Sequence, residues 1–599
     1  MRLLLLLSLA LGLAGPALAQ EAPPKHEFRG AWIATVINLD WPSCRTCSVD
    51  VQQAELLAHL DGLQAAGLNA ALFQVRAESD AFYDSPFEPW SHWLTGEQGT
   101  APSPYWDPLA FAVEEAHKRG LELHAWFNPY RADRGSDYPK AASHVTNTNP
   151  EWILTFNDIK ILDPGLPEVR DYVTSVVADV ARRYDIDGVH FDDYFYPYPP
   201  NTITNEDDAT FAQHNGGFTD RGNWRRFNIF RLVRQVRDSL QVVRPEAAFG
   251  ISPFGIWKNG VPAGISGMDA HNTIYADAVA WLENDLVDYI TPQLYWAFGG
   301  SQDYGALAPW WESVRNERHL YPGHGLYRSD RATYSGSLFS ASEIPNQIRL
   351  NRATEGIQGS VHFRAKNITQ FASRGFADSL RTDLYRTPAL PPPMAWKSQD
   401  APGSPSALVA AERPGTTTVD LAWDAPTSGD AEARFFAVYR IPSSEAGDLG
   451  AAMEQSTNLV AVTGETTASD VPPVNDVYTY VVTSVSANSI ESAPSNVVAV
   501  QSSVATERAT PPALALAAPR PNPARSHAEV GFTLREPARV TLRGVDVLGR
   551  EVARLLDDAP RAAGSHSATW QTAGASSGTY LLVLEVDGQR ASRPVVVTR

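Results

Sequence analysis

The run DGVHFDDYFYPYP, Asp187–Pro199, sets an alternating stretch against two adjacent aspartates and then a series of tyrosines and prolines. Successive side chains of a strand point to opposite faces. Val189 and Phe191 share one parity and read as packed outward against helices. His190 and Asp192 share the other and read as inward. Asp193 falls on the outward parity unless the strand has already ended, and so reads as a rim residue. Two like charges side by side are consistent with capping a turn, holding a metal or cleaving a bond.

Seven similar runs recur along the chain. They are FRGAWIATV (Phe28–Val36), NAALFQVR (Asn69–Arg76), ELHAWFNP (Glu122–Pro129), AFGISPFG (Ala248–Gly255), YITPQLYW (Tyr289–Trp296), LYPGHGLY (Leu320–Tyr327) and SVHFRAK (Ser360–Lys366). Amphipathic helical patterns fill the gaps, from Gln52–Ala66 through Pro108–Arg119, Pro167–Tyr184 and Trp224–Val243 to Thr369–Arg381. Strand followed by helix eight times predicts an α/β fold, a (β/α)8 barrel over residues 26–388. A doubly wound open sheet is the alternative, but no Gly-rich phosphate loop follows the first run.

Barrel chemistry sits at the C-terminal ends of the strands. The same parity rule aims Gln74, Arg76, His124, Trp126, Asn128, Ser252, Gln293, Tyr295, His362 and Arg364 inward. Trp32, Tyr194, Tyr196, Tyr198, Trp257 and Trp296 belong to or follow strand ends. Flat sugar faces pack on such rings while a few placed polar groups bind hydroxyls, so the mouth suits a glycan. Asp192 and Asp193 are the candidate catalytic pair, since glycoside hydrolysis needs carboxyl groups as acid and as base or nucleophile. Arg76, Trp126, Asn128, His190, Tyr194, Gln293, Tyr295 and Trp296 are the candidate substrate contacts. Asp40, Glu78 and Asp80 are the loop acids nearest strand ends. No His-x-x-x-His or comparable cluster accompanies the pair, so no metal or other cofactor is expected.

The 599 residues exceed one ordinary domain, and the net charge of −19 argues against a nucleic-acid partner. The opening MRLLLLLSLALGLAGPALAQ reads as a signal peptide over residues 1–19, with a small-residue cleavage site at Ala17-Leu18-Ala19. The mature protein is then expected outside the cytoplasm, secreted or at the cell surface, with no transmembrane segment. The two cysteines, Cys44 and Cys47, are expected to form a local disulfide in an exported chain; a redox pair and a zinc site are the alternatives. A Pro-rich linker over 389–406 is expected to be extended. Alternating runs over 407–501 read as a small β-sandwich. A second linker over 502–518 leads to a last β-rich segment, 519–599.

Three resemblances add to this reading. Trp423, Tyr439, Tyr478, Tyr480 and the ending SAPSNVVAV resemble a fibronectin type III domain. Pro521-Asn522-Pro523, Asp546 with Gly549-Arg550, Gly564 with His566 and Trp570, and Ser577-Gly578-Thr579-Tyr580 resemble the C-terminal sorting domain of type IX secretion substrates. That resemblance implies recognition by the type IX machinery and passage across the outer membrane. In the barrel, FRGAWIATV, GLNAALFQVRAESDAFYDS, LHAWFNPYRA, DPGLPEVRDYV, DGVHFDDYFYP, FGISPFGIW and DYITPQLYW together resemble the glycosyl-hydrolase-like 10 family of exported bacterial proteins. It implies a barrel acting on bacterial or environmental glycan, peptidoglycan strands being a substrate proposed for the family. By it, Arg76, Asn128, Asp192, Asp193, Gln293 and Tyr295 lie in the shared site.

The D-G-x-D-x-D-x-E motif of family 18 chitinases matches only at Asp187-Gly188 and Asp192. His190 replaces the middle Asp, and Tyr194 stands where the acid Glu belongs, so that mechanism does not carry over. The substrate's own acetamide is then a candidate nucleophile. A glycan-binding surface protein without catalysis, or an adhesin, is the alternative reading.

Overall fold

The eight runs form parallel strands: β1 (Phe28–Ile33), β2 (Ala70–Arg76), β3 (Glu122–Phe127), β4 (Gly188–Phe191), β5 (Ala248–Ile251), β6 (Tyr289–Ile290 with Gln293–Leu294), β7 (His319–Leu320 with Gly323–His324) and β8 (Gly359–His362). This is a computed structural model, and it describes residues 22–473, 476–502, 514–534, 536–586 and 589–599. The expected signal peptide and residues 503–513 of the second linker lie outside the described residues.

Strands β6 and β7 are each split at a proline, Pro292 and Pro322, whose missing N–H interrupts the ladder. The first halves pair with each other and with β5. The second halves pair with each other, and Gly323 of β7 pairs with Val361 of β8. Strand β8 pairs in turn with β1, so the parallel sheet curls round to meet itself as a (β/α) barrel.

The helices lie where amphipathic spacing places them, for example Val49–Ala65, Pro108–Lys118, Pro167–Arg183 and Arg221–Val243. Asp107 caps the second of these, its carboxylate accepting from the backbone N–H groups of Leu109 (3.0 Å) and Ala110 (3.1 Å), with Pro108 pre-set at the first turn. The helix expected over Thr369–Arg381 is instead broken into short turns, with Ser373 and Arg374 at positive φ.

Parity sorts most of the barrel. Ile33, Phe73, Val75, Leu123, Phe127, Val189 and Phe191 pack between sheet and helices. Phe28, Trp32, Leu72, Trp126, Tyr289, Tyr321 and Val361 fill the lumen. Strand β8 reverses the expectation. Val361 lies in the lumen, with Phe363 packed against the same cluster, while His362 lies between His324, Phe376 and Tyr385 outside it.

The stretch expected as an extended linker packs against the barrel. Leu390 is fully buried, and its backbone bonds to Lys25 and Glu27. Trp396 donates to Asp288 at 2.7 Å. Residues 406–501 form sheets of three and four antiparallel strands around Leu421, Trp423, Phe436, Val438 and Tyr480. This sandwich belongs to one compact unit with the barrel. Lys25 sits between Glu454 (3.0 Å) and Glu491 (2.7 Å), and Arg434 reaches Asp185 and Asp187 at the foot of β4.

The second unit holds the described residues from 514 onward. Its described strands again form sheets of three and four around Phe532, Leu542, Trp570, Tyr580 and Leu582. Asp546 accepts from the backbone of Leu548 and Arg550 (both 2.9 Å) around Gly549 at φ +79°. Asn522 clasps the last strand through the Val596 N–H at 2.8 Å. No helix among the described residues is long and apolar enough to cross a membrane.

Candidate active site

Strand β4 ends at Phe191. Asp192 and Asp193 therefore leave the strand together, and alternation no longer separates them. Both are buried, at 3% and 1% exposure. This corrects the expectation that Asp193 serves the rim.

Asp192 accepts three hydrogen bonds. Its Oδ2 takes the Asn128 amide N–H and the Trp126 indole N–H (3.3 Å), and its Oδ1 takes the Tyr194 backbone N–H (3.2 Å). Asn128 is held in turn by Gln74, which donates to its Oδ1 at 2.6 Å. The Gln74 Oε1 accepts from the backbone of Thr35 and Val36, both at 2.9 Å. Three strand ends thus fix one carboxylate. Asp193 accepts from the Tyr198 hydroxyl and from the Gln293 amide.

Burial pushes the Asp192 carboxyl from 3.8 up to about 6, with the Arg131 guanidinium acting against that rise. Burial, and then the Asp192 charge, push Asp193 well above the ordinary carboxylate range. Two neighbouring buried carboxyls do not both ionise cheaply, so the charge on one disfavours the charge on the other.

Arg131 was not visible as a site residue from sequence. It lies past β3 in a small antiparallel sheet, Arg131–Arg134 with Ile159–Leu162 and Ile153–Phe156, which periodicity did not reveal. Its Nε donates to the Ala77 carbonyl (2.9 Å), and its guanidinium lies 4.8 Å from the Tyr194 ring centre. Tyr198 is likewise an aromatic whose hydroxyl role only the folded loop discloses.

Three of the expected substrate contacts lie buried and already bonded within the protein. Arg76 is buried, and its guanidinium is taken up by Glu88 (2.6–2.9 Å), the Asn128 and Pro129 carbonyls and Ser79. It braces the turn that carries Asn128. Asn128 is itself fully buried and engaged by Gln74 and Asp192. His190 is fully buried beneath the pair, with Trp32, Ser252 and Tyr289 on its ring nitrogens. Asp40, Glu78 and Asp80 are buried and tied to loop donors. Asp40 takes the Ala34 N–H, Glu78 the Trp93 indole, and Asp80 the Glu78 N–H.

What faces outward is aromatic. Tyr194 is 43% exposed and lies 5.3 Å from Tyr198, which leads to Phe254 (6.1 Å) and on to Trp296 (5.5 Å). On another side Tyr295 stacks on Phe363 (5.7 Å) and meets Tyr327 edge-on (5.9 Å). Gln293, Tyr295 and Trp296 stay partly exposed. Cys44 and Cys47 are joined in a disulfide. No cluster of three or more metal-ligating side chains occurs among the described residues.

The model of a family described as glycosyl hydrolase-like 10 matches residues 27–335. Glycosyl hydrolase YngK of Bacillus subtilis (strain 168) is 36% identical over 475 residues, covering 78% of this chain and 91% of that protein. Glycosyl hydrolase DigH of Escherichia coli (strain K12) is 37% identical over 377 residues, 58% of this chain and 85% of that one. Among solved structures, α-L-fucosidase isoenzyme 2 from Paenibacillus thiaminolyticus aligns at a TM-score of 0.40 and 13% identity, over 60% of this chain and 49% of that one.

Proposed function

Because the chain belongs to the glycosyl hydrolase-like 10 family, we propose that it is a glycoside hydrolase in which Asp193 is the acid and Asp192 its ionised partner. The observation that carries this reading is the pair of adjacent buried carboxyls at the end of β4, under a rim of partly exposed aromatic rings.

The chemistry follows from the two environments. Asp193 keeps its proton near neutrality and delivers it to the glycosidic oxygen as the bond breaks. Asp192, ionised above about 6, faces the positive charge that grows at the anomeric carbon. Its fixed donors, Asn128 and Trp126, hold it in place without reorganising. On a substrate with N-acetyl groups, Asp192 orients the acetamide, whose oxygen attacks the anomeric carbon as the protonated leaving oxygen departs; water then attacks that carbon and reopens the ring so formed. Tyr194, Tyr198, Tyr295 and Trp296 supply faces for sugar rings. The substrate class is a bacterial or environmental polysaccharide, with peptidoglycan glycan strands first among the candidates.

The test is release of new reducing ends from peptidoglycan, chitin and α- and β-glucans, by wild type and by Asp192→Asn and Asp193→Asn. Cleavage by wild type alone supports the proposal. Retention of a glycan without cleavage would leave a binding protein instead.

We also propose that the protein is exported through the periplasm and across the outer membrane, to be released or held at the cell surface. The apolar N-terminal segment and the motifs of the second unit support this, with that unit as the type IX sorting domain and residues 407–501 as a fibronectin type III domain. Deleting residues 519–599 should trap the protein in the periplasm of a host with type IX secretion. Unchanged surface delivery would refute the sorting role.

A further inference from the structure

Beneath the carboxyl pair the barrel lumen holds a continuous series of hydrogen bonds. The Trp32 indole Nε1 lies 3.1 Å from His190 Nε2, and His190 Nδ1 lies 3.0 Å from the Tyr289 hydroxyl. That hydroxyl lies 2.8 Å from His124 Nδ1, and His124 Nε2 lies 3.0 Å from Glu122 Oε2. The series runs from the strand ends to the opposite end of β3.

Its direction follows from which atoms carry protons. An indole N–H only donates. His190 Nε2 is therefore an acceptor, and its ring proton sits on Nδ1. That proton goes to the Tyr289 oxygen, so the Tyr289 hydroxyl turns its own proton to His124 Nδ1. The His124 proton then sits on Nε2 and goes to Glu122. Ser252 Oγ also lies 3.0 Å from His190 Nε2, but its one proton is directed to the Phe191 carbonyl at 3.3 Å, so the indole is the donor that sets the ring. Burial holds His190 well below its ordinary pKa, in keeping with a single ring proton.

The fold makes room for this series. A Cβ on Gly188 would lie 2.4 Å from His124 Nδ1, and one on Gly250 would lie 2.0 Å from the Tyr289 ring. Both are far inside van der Waals contact, so the strands carry glycine where the two rings pass. Branched aliphatics, the usual filling of such a barrel, would occupy the space without any fixed proton order.

We propose that Trp32, His190, Tyr289, His124 and Glu122 form a one-way hydrogen-bond chain that locks His190 and His124 in opposite tautomers and positions the floor under Asp192. Its members are positioning residues. They touch no substrate, and Trp32 at one end and Glu122 at the other fix the orientation of every ring between them.

The tautomers are measurable directly. In protein labelled with 15N-histidine, long-range 1H–15N spectra, assigned with His190→Gln and His124→Gln, should show His190 protonated on Nδ1 and His124 on Nε2. Glu122→Leu removes the terminal acceptor. It should give mixed tautomers at His124 and lower kcat roughly tenfold by loosening the floor. Glu122→Gln, whose amide oxygen still accepts, should restore both. Identical tautomers at the two histidines, or a Glu122→Leu protein with wild-type spectra and turnover, would overturn the proposal. Should Glu122→Leu not fold, the wild-type spectrum decides alone. The turnover arm rests on the proposed hydrolase reading, and the spectra do not.

Discussion

Asp192→Asn is expected to stabilise the protein near neutral pH while abolishing cleavage. Burial raises the Asp192 pKa from 3.8 to about 6, so the folded state holds a proton that the unfolded chain releases earlier. Between those values the native state binds more protons than the unfolded one, and stability falls as pH rises. Above pH 6 the full cost of ionising this buried group is present. That rise from 3.8 to about 6 corresponds to about 3 kcal/mol. Asn avoids that cost but has one oxygen where Asp192 uses two. If the oxygen faces Asn128 and Trp126, the Tyr194 N–H at 3.2 Å loses its acceptor, at about 1 kcal/mol. The net gain is about 2 kcal/mol at pH 7.5 and vanishes by pH 3.5. Urea unfolding of both proteins at the two pH values measures it. A variant less stable than wild type at pH 7.5, or a gain that persists at pH 3.5, would refute the reasoning.

Other outcomes follow from the same geometry. Arg131→Met removes the cation that opposes the rise of Asp192, so the acid limb of the activity profile should move above pH 6; an unmoved limb would place the limb on another group. Arg434→Ala leaves Asp185 and Asp187 without their partner from the sandwich. It should cost about 3 kcal/mol, with barrel and sandwich still unfolding in one urea transition. Although burial opposes it, His117 and then Arg434 hold Asp187 below the ordinary range, so this contribution is present at neutral pH and is lost as pH falls through the depressed folded value. Gly188→Ala drives a methyl group into His124 and should cost about 1–3 kcal/mol, seen as a lowered urea midpoint.

The barrel was legible because strand-like runs alternate with amphipathic helical ones, and Val189 and Phe191 face the helices as parity requires. Strand β8 was not, because its lumen positions, Val361 and Phe363, are as apolar as outward ones. Hydrophobicity cannot orient a strand that is buried on both faces. Asp193 depended on where β4 ends, a boundary set by the chain leaving the ladder and not by periodicity. Arg76 reads as a mouth residue until Glu88, from the loop after β2, and Tyr172, from the helix Pro167–Arg183, enclose it. Arg131 sits past the end of its barrel strand, where strand parity has nothing to say about direction. The packed stretch around Leu390 and Trp396 was hidden for a related reason. Proline content predicts an extended backbone but does not say what that backbone lies against.

The most direct test of the carboxyl pair is the rate of reducing-end release from peptidoglycan glycan strands at neutral pH, with Asp193→Asn beside wild type. Asp193 as the proton donor predicts release by wild type and a loss of at least about a hundredfold in the variant. Release by Asp193→Asn at the wild-type rate would contradict it.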